Sequence, residues 1–205
     1  MIKKLKEFDR KDFFDYYNNS CDNSFLSFTI KLDVTKIVKF AKKHKTSFYA
    51  TMGYLLTKAI NNVDNFKYRY FEGEFYYCDK IRANYTQIKD GEVAFFGMPD
   101  IENYYEYIKT YKDMQRRLFD GEKFENKVDE FWVSCTPWFK FNSVVVPFDK
   151  DCVPTQFLWD KFEKRFGKYT VNFMLMAHHG FIDGYHVSLF LEELKNIIKN
   201  FKKYL

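Results

Sequence analysis

The sequence has few of the features that mark secreted, membrane-spanning or multidomain proteins. Its 205 residues include only four cysteines, four prolines and eight glycines, and the cysteines show no Cys-x-x-Cys spacing. No run of about 18 apolar residues occurs, and residues 1–12 are charged throughout, unlike a signal peptide. We therefore expect a soluble cytoplasmic protein that has reduced thiols and does not associate with a membrane.

Charge patterning excludes a further class of protein. The 33 basic and 28 acidic residues give a net charge of +5 and are spread along the chain without a block of five like charges. The local basic excess lies in residues 195–203, where lysines alternate with apolar residues as on an amphipathic helix. A nucleic-acid-binding surface needs clustered positive charge, so we expect no nucleic-acid partner.

Aromatic side chains, by contrast, are abundant. The chain has 25 phenylalanines and 16 tyrosines, and aromatic residues make up 21% of the total. Such a content is typical of a thick aromatic core or of interfaces anchored by rings. No repeat, low-complexity linker or Pro/Gly-rich joint interrupts the chain, which predicts one domain over residues 1–205.

Hydrophobic periodicity predicts more strands than helices. The predicted helices cover residues 8–18, 34–45, 48–63, 101–118 and 185–203. The predicted strands cover residues 24–32, 66–71, 75–79, 83–88, 92–96, 131–135, 144–147, 157–162 and 169–177. Because the strands do not alternate with helices as βαβ units, the pattern favours an α+β layered sandwich over a doubly wound sheet.

The segment of residues 178–184, which reads His-His-Gly-Phe-Ile-Asp-Gly, follows the last predicted strand. A neutral histidine at a strand end can take a proton from an alcohol near pH 7, because histidine titrates close to that value. The two glycines permit backbone turns that allow another chain or a ligand to come close. The segment is thus a candidate catalytic centre.

Two other interpretations of the histidines stay open on the residues alone. One is a satisfied pair of core histidines at a strand end. The other is a metal site, because His and Asp are common ligands. A metal site would need His179, Asp183 and His186 on one face of a continuous helix, and Gly180 and Gly184 argue against that helix.

The His-His-x-x-x-Asp-Gly pattern resembles the active-site segment of the chloramphenicol acetyltransferases. The resemblance implies that His179 is a general base, which deprotonates an acceptor hydroxyl so that it attacks the acetyl-CoA thioester directly. It implies an architectural role for Asp183, paired with Arg10 of the N-terminal helix. Catalytic domains of dihydrolipoyl acyltransferases and plant-type acyltransferases carry similar motifs and also transfer acyl groups from CoA-type thioesters.

Two further segments resemble the same family. Residues 10–17 are similar to its R-[RK]-E-x-F-x-x-Y helix, which implies that Tyr17 faces the acceptor. Residues 134–143 are similar to its S-x-x-P-W-x-x-F-x-S segment. There the final serine, Ser143 in this chain, donates a hydrogen bond to the oxyanion of the tetrahedral intermediate.

The resemblance also implies substrate contacts. Lys161 and Phe162 match the lysine–tyrosine pair that lies near the phosphates and adenine of CoA. Thr86 and Phe95 fall in a partly matching stretch that implies contacts with the acceptor. These four residues are therefore candidate binding residues.

Two positions depart from the family pattern. Leu158 stands where the family commonly has a threonine that helps to hold a water molecule. Asp160 replaces a small residue beside the CoA lysine. Its charge is expected to weaken CoA binding if the side chain points inward, and to have no effect if it points to solvent.

As a whole, the resemblance implies a two-layer α+β sandwich, in which a large mixed β-sheet is flanked by helices. It implies a homotrimer with active sites between subunits, with acetyl-CoA as co-substrate and a small hydroxyl compound as acceptor. No metal, permanently bound cofactor or acyl-enzyme is expected. The predicted function is O-acetylation of chloramphenicol, which confers antibiotic resistance. The alternatives are acetylation of another small hydroxyl compound and a non-catalytic CoA-binding role.

Overall fold

The computed structural model describes residues 1–147 and 154–205. Its strands are β1 (Ile2–Lys4), β2 (Phe25–Asp33), β3 (Tyr68–Phe71), β4 (Glu74–Cys78), β5 (Arg82–Lys89), β6 (Glu92–Gly97), β7 (Glu130–Thr136), β8 (Gln156–Asp160), β9 (Glu163–Arg165) and β10 (Lys168–His178). Its α-helices are α1 (Lys11–Ser20), α2 (Thr35–Lys43), α3 (Phe48–Asn61), α4 (Tyr104–Phe119) and α5 (Gly184–Lys199).

Seven strands form one large mixed sheet. Six of them lie in the order β2-β10-β8-β7-β5-β6, and β9 pairs with the first residues of β10. Strand β10 is antiparallel to both of its long neighbours, whereas β7 runs parallel to β8 and β5. The three short strands β1, β4 and β3 make a separate antiparallel sheet.

The main core lies between the large sheet and its helices. Alternate residues of β10, from Val171 to Ala177, point toward it and are at most 1% exposed. Helix α3 is apolar on most of its surface because it packs against α2, α4, α5 and β5. The core cluster includes residues from Phe8 near the start of the chain to Phe201 near its end.

The opposite face of the sheet carries a smaller apolar cluster. Leu158, Met174 and Met176 form its centre, and Phe141 and Val144 are among the side chains packed on them. The segment of residues 141–147 thus covers the outer face of β8 and β10.

The predicted α+β fold, with a large mixed sheet flanked by helices, is confirmed. The predicted strand at residues 144–147 is wrong, because these residues have no regular secondary structure. The Val144 and Pro147 carbonyls accept hydrogen bonds from the side chains of Ser27 and Gln156, at 3.4 and 3.1 Å, instead of pairing with a strand. The apolar alternation of residues 144–147 therefore reflects side chains packed on the sheet, and these residues do not form a strand of it.

Helix boundaries also differ from the predictions, by up to four residues at an end. Helix α2 ends at Lys43, and Lys45 has a φ of 51°, in the left-handed region that cannot continue a right-handed helix. Helix α5 ends at Lys199, and a short 3-10 turn covers Phe201–Tyr204.

Cys21, Cys78 and Cys135 are free thiols, and Cys152 lies outside the described residues. Among the described helices, not one combines the length and apolar character that a bilayer crossing requires.

Candidate active site

His179 lies immediately after β10, where its backbone N–H donates to the Ser24 carbonyl at 2.8 Å. Its ring stacks on Tyr17 of α1, with centroids 4.3 Å apart and planes inclined by 11°. Ring atom Nδ1 is 3.1 Å from the Ile182 carbonyl oxygen. A carbonyl can only accept, so Nδ1 carries a hydrogen, and in the neutral ring the lone pair is then on Nε2. The half-buried ring is therefore held in the tautomer that a base at Nε2 requires.

Gly180 allows helix α1 to approach the turn after His179. A Cβ atom at this position would lie 2.6 Å from the backbone Cα of Phe14, a distance that no side chain tolerates. The Gly180 carbonyl accepts a hydrogen bond from Arg10 Nε at 3.0 Å. Gly184, in contrast, has open space around it as the first residue of α5. The close approach expected of both glycines is thus found at Gly180.

Asp183 joins the turn to two helices. It is the N-cap of α5, and its Oδ1 accepts hydrogen bonds from the Tyr185 and His186 amides at 3.0 and 3.4 Å. Its Oδ2 lies 3.3 Å from Arg10 Nη1 of the segment before α1. Burial opposes ionisation, but His186, the two amides and Arg10 outweigh it, so the pKa of Asp183 is below its ordinary value. The carboxylate is charged near neutral pH.

His186 completes this cap. Its Nδ1 accepts a hydrogen bond from the Asp183 amide at 3.2 Å. Burial lowers the pKa of His186, which keeps the ring neutral and able to accept. Over residues 1–147 and 154–205, no group of three or more His, Cys, Asp or Glu side chains could hold a metal ion. The histidine–aspartate pattern therefore serves a helix cap in this structure.

His178 has a different environment from His179, its neighbour in sequence. It is 1% exposed and stacks on Phe14 with ring centroids 4.3 Å apart. Its Nδ1 accepts a hydrogen bond from the Gly180 amide at 3.0 Å. Burial, with a smaller effect of nearby His179, lowers the pKa of His178 to about 4. His178 is thus a neutral, packed residue that shapes the turn.

The pH dependence of stability should report this burial. Histidine in the unfolded chain titrates near 6.5, so the unfolded state binds more protons between that pH and about 4. The contribution of neutral His178 is complete above about pH 6.5 and is lost as the pH falls toward 4. In His178→Asn, which keeps an acceptor but does not titrate, the loss of unfolding free energy between pH 7 and pH 4.5 should shrink by about 2 kcal/mol.

Denaturant unfolding at pH 7 and near pH 4.5 measures this difference. His44→Asn is the matched control, because His44 is exposed. Its pH dependence should equal that of the unmodified protein. An unchanged acid loss in His178→Asn would contradict the buried, neutral state.

Ser143 lies in a different segment of the chain from the histidine turn. It is exposed, in the irregular segment of residues 141–147 on the outer face of the large sheet. In the part of the chain that the structure describes, no hydrogen bond connects Ser143 with His179.

Thr86 and Phe95 are directly opposite each other on β5 and β6. Thr86 Oγ1 donates to Ser134 Oγ at 2.9 Å, and the ring of Phe95 lies 5.8 Å from that of Trp132. The Tyr49 hydroxyl reaches the strand backbone here, 3.0 Å from the Thr86 carbonyl. The sequence does not show that Ser134, Trp132 and Tyr49 lie beside Thr86 and Phe95, because strand register and the packing of α3 on the sheet bring them together.

Lys161 and Phe162 follow β8. Lys161 is exposed, and its amide donates to the Phe139 carbonyl at 3.2 Å. Phe162 is 37% exposed and its ring lies 5.5 Å from that of Tyr169. Lys42 Nζ is 5.6 Å from the Phe162 centroid and 3.2 Å from the Tyr169 hydroxyl. Lys42 and Tyr169 extend this basic and aromatic surface, which sequence reasoning alone missed.

The two departures from the family pattern are both buried. Leu158 is 7% exposed in the outer apolar cluster. The Asp160 side chain is fully buried, with Oδ1 accepting from the Asn172 amide and Oδ2 from its Nδ2, each at 2.8 Å. Lys140 Nζ lies 3.6 Å from the same carboxylate. The Asp160 charge is thus enclosed and compensated, so it ties β8 to β10 and is not presented to a ligand.

Comparison with known proteins gives one consistent result. A family model described as chloramphenicol acetyltransferase matches residues 2–195. A chloramphenicol acetyltransferase of Campylobacter coli is 28% identical over 205 residues, which cover 95% of this chain and 96% of the relative. One of Staphylococcus aureus is 29% identical, with 97% of this chain and 98% of the relative covered.

Solved structures share the fold. One described as chloramphenicol acetyltransferase superposes with a TM-score of 0.79 at 21% identity, over 97% of this chain and 100% of that one. A probable dihydrolipoamide acetyltransferase from Listeria monocytogenes has a TM-score of 0.67 at 13% identity, over 97% of this chain and 94% of that one. At these identities the likeness concerns the fold alone.

Proposed function

Because the chain belongs to the chloramphenicol acetyltransferase family and is therefore an acyltransferase, we propose that it transfers the acetyl group of acetyl-CoA to a hydroxyl group of chloramphenicol. The observation that carries this proposal is the hydrogen bond from His179 Nδ1 to the Ile182 carbonyl. It leaves Nε2 as the nitrogen that, in the neutral ring, can accept a proton from an alcohol. No metal ion and no permanently bound cofactor takes part in the proposed reaction.

In the proposed mechanism, Nε2 of His179 removes the hydroxyl proton while the alcohol oxygen attacks the thioester carbonyl. The carbonyl π electrons move to oxygen and form a tetrahedral oxyanion. When the intermediate collapses, the C–S bond breaks and the thiolate of CoA takes the proton back from Nε2. The products are the acetyl ester and free CoA thiol, and His179 is neutral again. No acyl-enzyme forms.

Arg10 and Asp183 act as supporting residues in this proposal. Their 3.3 Å contact and the hydrogen bond from Arg10 to the Gly180 carbonyl connect both ends of the turn that carries His179. Tyr17 stacks on one face of the His179 ring. These contacts limit the motion of the ring, and a fixed base reacts faster than a mobile one.

Ser143 is the proposed oxyanion donor, and it implies an assembly. In the proposed homotrimer the active site forms between adjacent copies, because no hydrogen bond of the described residues joins Ser143 to His179 in one chain. Exposed rings on the outer side, such as Trp138 and Phe139 at 64% and 56% exposure, suit a subunit interface. Each copy would contribute His179 to one site and Ser143 to another.

Acetyl-CoA is the proposed donor, held near Lys161 and Phe162. Lys161 is exposed and can pair with a phosphate, and the partly exposed ring of Phe162 can stack on adenine. Lys42, within 5.6 Å of that ring centroid, adds a second positive charge. The enclosed carboxylate of Asp160 does not oppose these contacts.

The acceptor site is proposed around Tyr17, Thr86 and Phe95. Leu158 in the outer apolar cluster removes a hydroxyl group that the family pattern commonly has there. That substitution favours a second candidate acceptor, a small hydroxyl compound that is less polar than chloramphenicol.

Release of CoA thiol from acetyl-CoA by the purified protein tests the proposal. We expect rapid release with chloramphenicol and only slow hydrolysis without an acceptor. Release of CoA thiol with other small alcohols but not with chloramphenicol would contradict chloramphenicol as the acceptor and support the second candidate acceptor. Binding of CoA without release for any acceptor would contradict an active enzyme and support a non-catalytic relative.

A further inference from the structure

A lysine-lined groove lies at the far end of β10 from the histidine turn. Six lysines line this cavity of about 640 Å³. They are Lys31 on β2, Lys36 and Lys39 on α2, Lys168 on β10, and Lys195 and Lys199 on α5. Strand β10 begins at Lys168 and ends at His178, and eleven residues of strand span roughly 35 Å. The lysine groove is therefore separate from the His179 site.

The lysine groove has little internal compensation of its charge. Within residues 1–147 and 154–205, none of its six ammonium groups forms an ion pair with a carboxylate. Asp33 also lines it, but its Oδ1 accepts a hydrogen bond from the Thr35 amide at 2.9 Å. The six lysines and one aspartate give the groove a net charge of +5, which equals the net charge of the whole chain.

Some lysines elsewhere in the structure do form ion pairs. Lys80, for example, lies 3.0 Å from Asp100 and 2.6 Å from Glu102. Six cations around one concave surface repel one another and attract anions, because a cleft concentrates the field of its lining charges. One of the six is held in place, since Lys36 Nζ donates to the Lys199 carbonyl at 2.6 Å and joins α2 to the end of α5.

The shape and lining of the groove indicate the class of ligand. Its volume is in the range of small-molecule sites. Leu32 and Ile198, 2% and 7% exposed, form an apolar floor between the lysines. An ammonium group interacts with phosphate oxygens as a point charge, so several lysines can contact the same phosphate. We propose that the lysine groove binds a small, multiply phosphorylated anion.

Titration calorimetry of the purified protein with tripolyphosphate at low ionic strength tests this proposal. We expect one tripolyphosphate per chain and a raised melting temperature. In Lys39→Gln/Lys168→Gln, affinity should fall at least about tenfold and the melting shift should shrink. The matched control is Lys109→Gln/Lys112→Gln on α4, where both lysines are exposed and outside the groove. Its affinity should change less than about twofold.

Two further measurements identify the ligand and separate it from CoA. Tighter binding of ATP than of tripolyphosphate would show that the apolar floor contacts an organic group, and equal binding would show that the phosphates suffice. Saturating CoA should leave tripolyphosphate binding unchanged. Displacement by CoA together with loss of binding in Lys161→Gln would overturn the proposal, because the phosphate would then occupy the CoA site.

Three other outcomes would also overturn it. One is the absence of tripolyphosphate binding. Another is equal weakening in the groove variant and the α4 control, which would reflect a diffuse field of the whole protein. The third is binding to anionic lipid vesicles or duplex DNA, lost in the groove variant, without binding of tripolyphosphate. None of these results depends on acetyl transfer, so the thiol-release assay can succeed or fail independently.

Discussion

His179→Ala should lower kcat for acetyl transfer by at least about 10²-fold. The variant loses the atom that takes the hydroxyl proton, and nothing else in the turn offers an unprotonated nitrogen on the same side, because His178 is buried and its Nδ1 already accepts the Gly180 amide. Steady-state rates with acetyl-CoA and saturating acceptor measure the change. Affinity for CoA should stay within about twofold, because the base does not hold the donor phosphates.

His44→Ala is the matched control for this experiment. His44 is exposed at the end of α2, remote in the fold from the turn that carries His179, and its replacement should leave kcat unchanged. The melting temperature of His179→Ala separates a chemical effect from unfolding. A folded His179→Ala protein with nearly normal kcat would exclude His179 as the base.

Ser143→Ala should lower kcat by about 10²- to 10³-fold, the range for loss of one oxyanion donor. The hydroxyl contacts charge that develops only in the transition state, so KM for acetyl-CoA should change little. Ser20→Ala, in an exposed position at the end of α1, serves as the control and should keep full activity. An effect confined to KM for acetyl-CoA would contradict an oxyanion contact.

A mixture of the two inactive variants tests where the site is formed. If His179 of one copy acts with Ser143 of the next, trimers refolded from equal amounts of His179→Ala and Ser143→Ala chains should regain about a quarter of normal activity. That fraction is the chance that one site receives both intact residues. Sites formed within one chain would show no recovery, which would refute the shared-site proposal.

The elements around the candidate site were predictable because their sequence patterns are local. The apolar run predicted as a strand over residues 169–177 is β10, Lys168–His178. The apolar surface of α3 and the turn glycine between β3 and β4, Gly73, also follow from local sequence patterns. In each case neighbouring residues in sequence determine the burial pattern, so periodicity alone is sufficient.

Predictions failed where packing partners are distant in sequence. Residues 144–147 have strand-like alternation, but the outer face of β8 and β10 buries their side chains without pairing their backbone. The lysines of the groove come from β2, α2, β10 and α5, and of the six only Lys195 and Lys199 fall in the basic excess of residues 195–203. Charge that looks dispersed along the chain is concentrated only when those elements pack together.

The amino-acid sequence by itself determined the family, the α+β architecture and the residues able to act as base, oxyanion donor and ion pair. These depend on residue type and order, which folding does not change. Only the tertiary structure decided that His178 is buried while His179 keeps a free Nε2, and that Arg10 meets Asp183 across most of the chain. Such differences arise from long-range contacts, because burial and hydrogen-bond geometry belong to the packed chain and not to any segment of it.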